Sequence, residues 1–109
     1  MALKHAEPGE VVDLRPLGAR LTQTMAHAIV RTPSFEAMRL VVPAGTEILG
    51  QPVPGRLMLH CIEGEVELGL ADGTGRMRAG HWMYLEGRAE HSLRGIEDSS
   101  LLLTILFHD

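Results

Sequence analysis

The fold is decided by residues 43–67, which read PAGTEILGQPVPGRLMLHCIEGEVE. A turn signal rich in proline and glycine, residues 52–55, comes just before the apolar run of residues 57–62. In the next segment, residues 65–70, apolar side chains alternate with charged or small ones, as they do in a strand with one buried face. Short strands separated by turns at such intervals predict an all-β sandwich or barrel.

The rest of the chain repeats this pattern, and no segment has a convincing amphipathic helical period. The apolar runs and turn residues predict further strands at residues 10–14, 21–30, 35–42, 82–85, 91–96 and 101–107, and a hairpin turn at residues 72–75. The first twenty residues are expected to cover one end of a barrel or to fray.

The composition is that of one compact domain. The 109 residues carry a net charge of -4, with 45% hydrophobic and 22% charged residues. This charge gives no reason to expect a nucleic acid partner, and no stretch approaches the roughly 18 apolar residues of a membrane span. Cys61 is the one cysteine, and the N-terminus lacks the apolar run of a signal peptide. We therefore predict a cytoplasmic location, where a free thiol stays reduced.

The spacing of several residues within this pattern resembles the sequence motifs of a known family. Gly45, Gln51, Val53, Leu57 and Gly64 are followed by a second block that begins at Gly80 and reaches His91. This register is similar to the two motifs of the cupins, which place three histidines and one carboxylate on a bound metal. The segments that carry the likeness are residues 43–46, 61–67, 79–80 and 90–92.

The resemblance implies a double-stranded β-helix, that is, a jelly-roll barrel. Residues 1–109 would form a single cupin β-barrel domain, with residues 35–107 as the cupin core and residues 1–20 as an N-terminal extension or edge strand.

The departures from the cupin motifs concern the metal ligands. Gln51, Val53 and Leu57 stand where the first motif has His, His and Glu, and only His91 keeps the expected identity. Valine and leucine cannot ligate, and an amide oxygen anchors a transition metal poorly. We therefore predict no standard metal site and no cofactor.

The same positions predict a largely apolar ligand pocket. Its candidate residues are Gln51, Val53, Leu57, Leu59, Cys61 and His91. For Cys61 we expect the role of a small hydrophobic residue, since buried cysteines are more often inert than nucleophilic. By strand alternation His60 faces away from this pocket. It is either an additional polar group of the pocket, brought in by a shifted register, or a residue of a dimer interface.

The run of residues 57–62 is apolar on both faces, and residues 101–107 have the same character. One face can line the barrel, but the outer face of Met58, His60 and Ile62 must be shielded from water by other residues. A homodimer through this outer face is the prediction, and a sandwich that hides both faces internally is the alternative. In contrast, Glu63, Glu65 and Glu67 alternate and predict one solvated side of a strand.

Three functions remain open, and the sequence does not decide whether a reaction is catalysed. The first is a small-molecule binding module without a standard metal site. The second is a metal-dependent cupin enzyme, of dioxygenase or isomerase type, with an atypical site made from His91, His60 and Gln51. The third is a structural or regulatory dimer without a ligand. A fold alone does not distinguish these functions.

Overall fold

The computed structural model describes residues 5–108. Within them the chain forms nine β-strands and one short 3₁₀ turn, Gly18–Gln23. In chain order the strands are β1 His27–Arg31, β2 Phe35–Val42, β3 Glu47–Leu49, β4 Arg56–Glu63, β5 Glu65–Leu70, β6 Gly73–Arg78, β7 Trp82–Glu86, β8 His91–Gly95 and β9 Ser99–Leu106. No helix in this range is long and apolar enough to cross a membrane. The predicted all-β class is confirmed.

The strands form two antiparallel sheets that face each other. The five-stranded sheet has the order β1-β2-β9-β4-β7, and the four-stranded sheet has the order β3-β8-β5-β6. The last strand, β9, lies between β2 and β4, so the larger sheet is completed only by the C-terminal end of the chain. This is the arrangement of a jelly-roll barrel.

The core lies between the inner faces of the sheets. On β9, Leu101 is paired with Leu40 and Cys61, and Leu103 is paired with Leu59 across the other ladder. Leu59 is 1% exposed, as the alternation of β4 predicts, and Leu101 of β9 is fully buried. Replacement of such a leucine by alanine typically costs about 2–5 kcal/mol.

The predicted strands at residues 35–42 and 65–70 coincide with β2 and β5, and those at 57–62, 82–85, 91–96 and 101–107 match β4, β7, β8 and β9 within two residues. Two short strands were not predicted. β3 has only three residues, and β6 reads GTGRMR without a regular apolar alternation. Pairing with β8 and β5 makes them strands against their weak local signal.

The predictions for the N-terminal part were wrong in two places. Residues 10–14 form no strand, because this segment follows the turn at Pro8-Gly9 and pairs with neither sheet. Residues 21–30 are not one strand either. The 3₁₀ turn Gly18–Gln23, which buries Leu21, comes first, and β1 begins only at His27.

The hairpin between β5 and β6 turns earlier than predicted. Its turn is Ala71-Asp72, and Gly73 already pairs with Leu70 in the ladder. Residues 72–75 were predicted as the turn because they contain two glycines, but Gly73 and Gly75 lie within β6.

The predicted solvated side of Glu63, Glu65 and Glu67 is also wrong. Glu63 ends β4, whereas Glu65 belongs to β5 in the other sheet. Glu65 is only 8% exposed, and its carboxylate lies 3.2 Å from the guanidinium of Arg76 and 3.6 Å from that of Arg78. The two arginines project from the neighbouring strand β6 and cover the carboxylate.

Glu63 binds the N-terminal segment, which is residues 5–26 before β1, to the five-stranded sheet. Its carboxylate accepts hydrogen bonds from the backbone amides of Leu17, at 2.8 Å, and Gly18, at 3.0 Å, and from the hydroxyl of Ser100. Burial acts to raise the pKa of Glu63, but these hydrogen bonds outweigh it and lower the pKa below its usual value. Glu63 is therefore a charged anchor for residues that precede the first strand.

Arg39 completes this anchor from β2. Its Nη2 lies 3.7 Å from the carboxylate of Glu63 and donates to the carbonyl of Arg15 at 2.6 Å. The side chain is almost fully buried, and its Nε has no hydrogen-bond partner among the described residues. The N-terminal segment thus covers an ion pair on the outer face of the sheet, where water would otherwise reach it.

Candidate functional site

A cavity of about 300 Å³ opens at one end of the barrel. Both sheets contribute to its wall, together with the loop between β3 and β4. The lining residues are Met38, Leu40, Ile48, Leu49, Gly50, Gln51, Val53, Leu57, Leu59, His91, Leu93, Leu103 and Ile105. Among these described residues only Gln51 and His91 are polar. The volume lies at the lower end of the range of small-molecule sites.

The other end of the barrel is filled by side chains. Cys61 lies there beside Leu101, Val42 and Val66, and all four are fully buried. Cys61 therefore belongs to the core and not to the wall of the cavity. Burial raises the pKa of its thiol, which keeps the sulfur protonated and unreactive at neutral pH.

His91 is directed inward by the alternation of β8. It shares the inner face with Leu93 and Gly95, which are both buried, and it is paired with Leu70 of β5. The ring Nδ1 lies 3.0 Å from the carbonyl oxygen of Ala89. This contact holds the imidazole in one orientation at the mouth of the cavity.

Gly50 provides the space that the imidazole of His91 occupies. A Cβ atom at Gly50 would overlap the ring, with Nε2, Cδ2 and Cε1 as its nearest neighbours. The amide of Gly50 also donates to the carbonyl of His91 at 2.9 Å. Glycine is thus required here by close approach, because any side chain would displace the histidine.

Gln51 and Val53 form the rim next to this contact. Gln51 is exposed, and Val53 is half-buried with its amide bonded to the carbonyl of Gly87 at 2.9 Å. Leu57 and Leu59 follow on β4 and line the interior of the cavity. The structure therefore brings together five of the predicted pocket residues: Gln51, Val53, Leu57, Leu59 and His91.

His60 lies on the opposite side of β4, away from the cavity. It is exposed and sits opposite Trp82 of β7 and Leu102 of β9 on the outer face of the five-stranded sheet. The regular pairing of β4 with β7 around it contains no bulge that would bring it inward. His60 does not join the cavity, and an atypical site that uses it together with His91 is not formed in this structure.

Solved structures resemble the whole domain. A cupin superfamily protein from Desulfitobacterium hafniense superimposes with a TM-score of 0.76 at 13% identity, over 94% of this chain and 99% of that one. A conserved protein of unknown function from Streptococcus pyogenes has a TM-score of 0.73 at 20% identity, over 97% of this chain and 94% of that one. The chain has the cupin fold.

An enzyme is also among the cupin neighbours. Ectoine synthase from P. lautus has a TM-score of 0.64 at 22% identity, and the alignment covers 78% of this chain and 66% of that one. No family model matches the chain, and no curated protein matches it. At these identities the likeness concerns the fold alone, since one fold hosts many functions.

The donor set of this chain does not fit the metal of the cupin motifs. Of the four motif positions, His91 offers one imidazole, Gln51 offers a neutral amide, and Val53 and Leu57 offer nothing. No group of three or more His, Cys, Asp or Glu side chains that could hold a metal occurs within residues 5–108. A transition metal site normally needs three or four strong ligands.

The sequence did not reveal eight of the thirteen described residues that line the cavity. Met38, Leu103 and Ile105 line it from β2 and β9, and Ile48 and Leu93 line it from the other sheet. Their membership depends on strand pairings between distant segments, which apolar alternation alone does not specify. Gly50 was missed as well, because the side chain that excludes a Cβ atom there belongs to His91 in a distant segment of the chain.

Proposed function

We propose that this cupin binds a small, mostly apolar molecule in the cavity at the open end of the barrel, without a standard metal site. The observation that carries the proposal is the chemistry of the wall: aliphatic and methionine side chains surround a space that ends at His91 and Gln51. Small-molecule sites commonly combine an apolar wall with a few polar groups that fix orientation.

The absence of charge on the wall supports the apolar character of the ligand. None of the described lining residues is Asp, Glu, Lys or Arg. A charged group placed deep in the cavity would lose its hydration without gaining a partner, which costs several kcal/mol or more. The hydrocarbon part of a ligand belongs inside, and its polar part belongs at the rim.

Titration with the neutral fluorescent probe N-phenyl-1-naphthylamine tests this proposal. We expect saturable binding with enhanced emission. Binding should be lost in Ile105→Trp, because the indole ring would project from β9 and fill the cavity. Met25→Trp is the matched control, since Met25 is exposed and does not line the cavity. Absence of saturable binding to a folded wild-type protein, or equal binding by both variants, would refute the proposal.

The alternative of a metal-dependent enzyme of dioxygenase or isomerase type has less support. It would need further ligands beside His91, and His60 lies on the outer face of the sheet. One structural neighbour is an enzyme, ectoine synthase, and this is the support that the alternative has.

We further propose that the protein is a homodimer through the outer face of the five-stranded sheet. Trp82 and Tyr84 are 58% and 56% exposed there, and their ring centroids are 6.1 Å apart. They stand beside His60 and Met58 of β4. Large aromatic side chains at a surface are typical of interfaces, where their burial contributes strongly to association.

A cytoplasmic location stays a prediction. Its support is the buried free thiol of Cys61, which has no other cysteine to pair with.

A further inference from the structure

The imidazole of His91 has one nitrogen committed to the protein. Its Nδ1 lies 3.0 Å from the carbonyl oxygen of Ala89, and a carbonyl can only accept, so we assign the proton to Nδ1. In the neutral ring Nε2 then carries a lone pair and acts as an acceptor. Nε2 has no hydrogen-bond partner among residues 5–108.

The contact with Gly50 leaves this lone pair free. The site of a Cβ atom at Gly50 lies at similar distances from Nε2, Cδ2 and Cε1, so the face of the ring covers the glycine. The lone pair lies in the plane of the ring and is therefore not directed at Gly50. The amide of Gly50 is bonded to the carbonyl of His91 and cannot supply the missing donor either.

His91 stands where the apolar cavity meets a polar cleft. The cleft is lined by Arg88, Glu90 and Ser92, and the cavity behind His91 by leucine and isoleucine. A molecule that spans this boundary has a hydrocarbon part inside and one hydrogen-bond donor at the ring. Because the cavity wall carries no charge, a neutral donor fits better than an ammonium group.

From these contacts we propose that the ligand is a small neutral alcohol or phenol whose hydroxyl group donates a hydrogen bond to Nε2 of His91. This inference rests on the proposed binding function and adds the chemical class of the ligand. The hydroxyl donates to a nitrogen that the contact with Ala89 holds in place and that has no partner among residues 5–108, and the hydrocarbon part occupies the cavity of about 300 Å³. A ligand of the same shape without the hydroxyl leaves that nitrogen unsatisfied and loses affinity.

Calorimetric titration with four probes of similar shape tests this class: 4-propylphenol, 4-propylanisole, propylbenzene and 4-propylbenzoate. We expect 4-propylphenol to bind the wild-type protein about tenfold tighter than its methyl ether, which cannot donate a hydrogen bond to Nε2. In His91→Phe this preference should fall to less than about threefold, while propylbenzene keeps its affinity. In Gln51→Leu the preference should persist.

Each other outcome has a definite reading. If all three uncharged probes bind the wild type equally, the binding function stands and the proposed class is overturned. If 4-propylbenzoate binds tightest, the ligand is an anion recognised from the polar cleft by Arg88, and the class is again wrong. Loss of the preference in Gln51→Leu would assign the hydroxyl to the amide. If no probe binds, the proposed binding function itself fails.

Discussion

The carboxylate of Glu63 and the backbone amide of Leu17, 46 positions apart in the chain, are joined by a hydrogen bond of 2.8 Å. Arg39 lies 3.7 Å from the same carboxylate and is buried beneath the N-terminal segment. One acidic side chain thus connects the residues before β1 to the completed barrel.

We expect Glu63→Ala to destabilise the protein by about 3–5 kcal/mol, because Arg39 would remain buried with its charge unpaired. Urea denaturation followed by circular dichroism gives the free energy of unfolding. Glu67→Ala is the matched control. Its partner Arg94 lies 3.4 Å away and is half-exposed, so the change should stay below about 1 kcal/mol. Equal losses in both variants would contradict the anchoring role of Glu63.

Stability should fall in acid through the same residue. The pKa of Glu63 is lower in the folded chain than the value of about 4.3 in unfolded chains, so the folded state favours the ionised form. The resulting stabilisation is present above pH 4.3 and is lost as the pH falls through the folded pKa. The difference in unfolding free energy between wild type and Glu63→Gln should therefore shrink in acid. A difference that stays constant from pH 7 to pH 3 would contradict this assignment.

Gly50→Ala should disturb His91 selectively. The added methyl group would overlap the imidazole, which must rotate and give up its contact with Ala89. We expect a loss of about 1–3 kcal/mol in unfolding free energy, together with a changed ¹⁵N chemical shift of Nδ1. In Gly75→Ala, where the nearest atom is 4.0 Å from the new methyl group, both readouts should stay close to wild type. An unchanged His91 spectrum in Gly50→Ala would refute the contact.

Purified protein should contain well under one equivalent of iron, manganese, nickel or zinc per chain. One imidazole and one amide do not make the three or four strong ligands that such an ion needs. Elemental analysis of protein prepared without a histidine tag is the measurement. One equivalent that disappears in His91→Ala would show that the cavity holds a metal after all.

The oligomeric state should depend on Trp82. Light scattering at micromolar concentration should give a mass of about twice 11.9 kDa for the wild type. It should give the monomer mass for Trp82→Glu, because a buried interface tolerates an unpaired charge poorly. Thr74→Glu, on exposed β6 of the other sheet, is the control and should remain dimeric. A wild-type monomer, or a dimeric Trp82→Glu, would exclude this face.

Turn residues and apolar runs are local signals, and they predicted the all-β class and six of the strands. The resemblance to the cupin motifs supplied the jelly-roll barrel and the pocket positions Gln51 and His91. The residues that complete the cavity wall could not be predicted from the sequence. Met38 and Leu103 meet through a pairing of segments about 65 positions apart, and nothing in either segment names its partner.

Acidic residues were the other failure. The sequence pattern does not distinguish a glutamate that pairs with a buried arginine from one that faces water. Glu63 and Glu65 were therefore both predicted to be solvated. Folding brings Arg39 to Glu63, and Arg76 and Arg78 to Glu65. Strand alternation predicted correctly that His60 points outward, because β4 keeps a regular register with β7.

The side chains that fill one end of the barrel affect how a ligand reaches and leaves the cavity. Since Cys61, Leu101, Val42 and Val66 occupy the far end, a molecule in the cavity arrives and departs past the rim of residues 50–54. A ligand therefore enters and leaves through the same mouth. A larger side chain that narrows the mouth without touching the bound ligand would slow arrival and departure together and leave the equilibrium affinity nearly untouched.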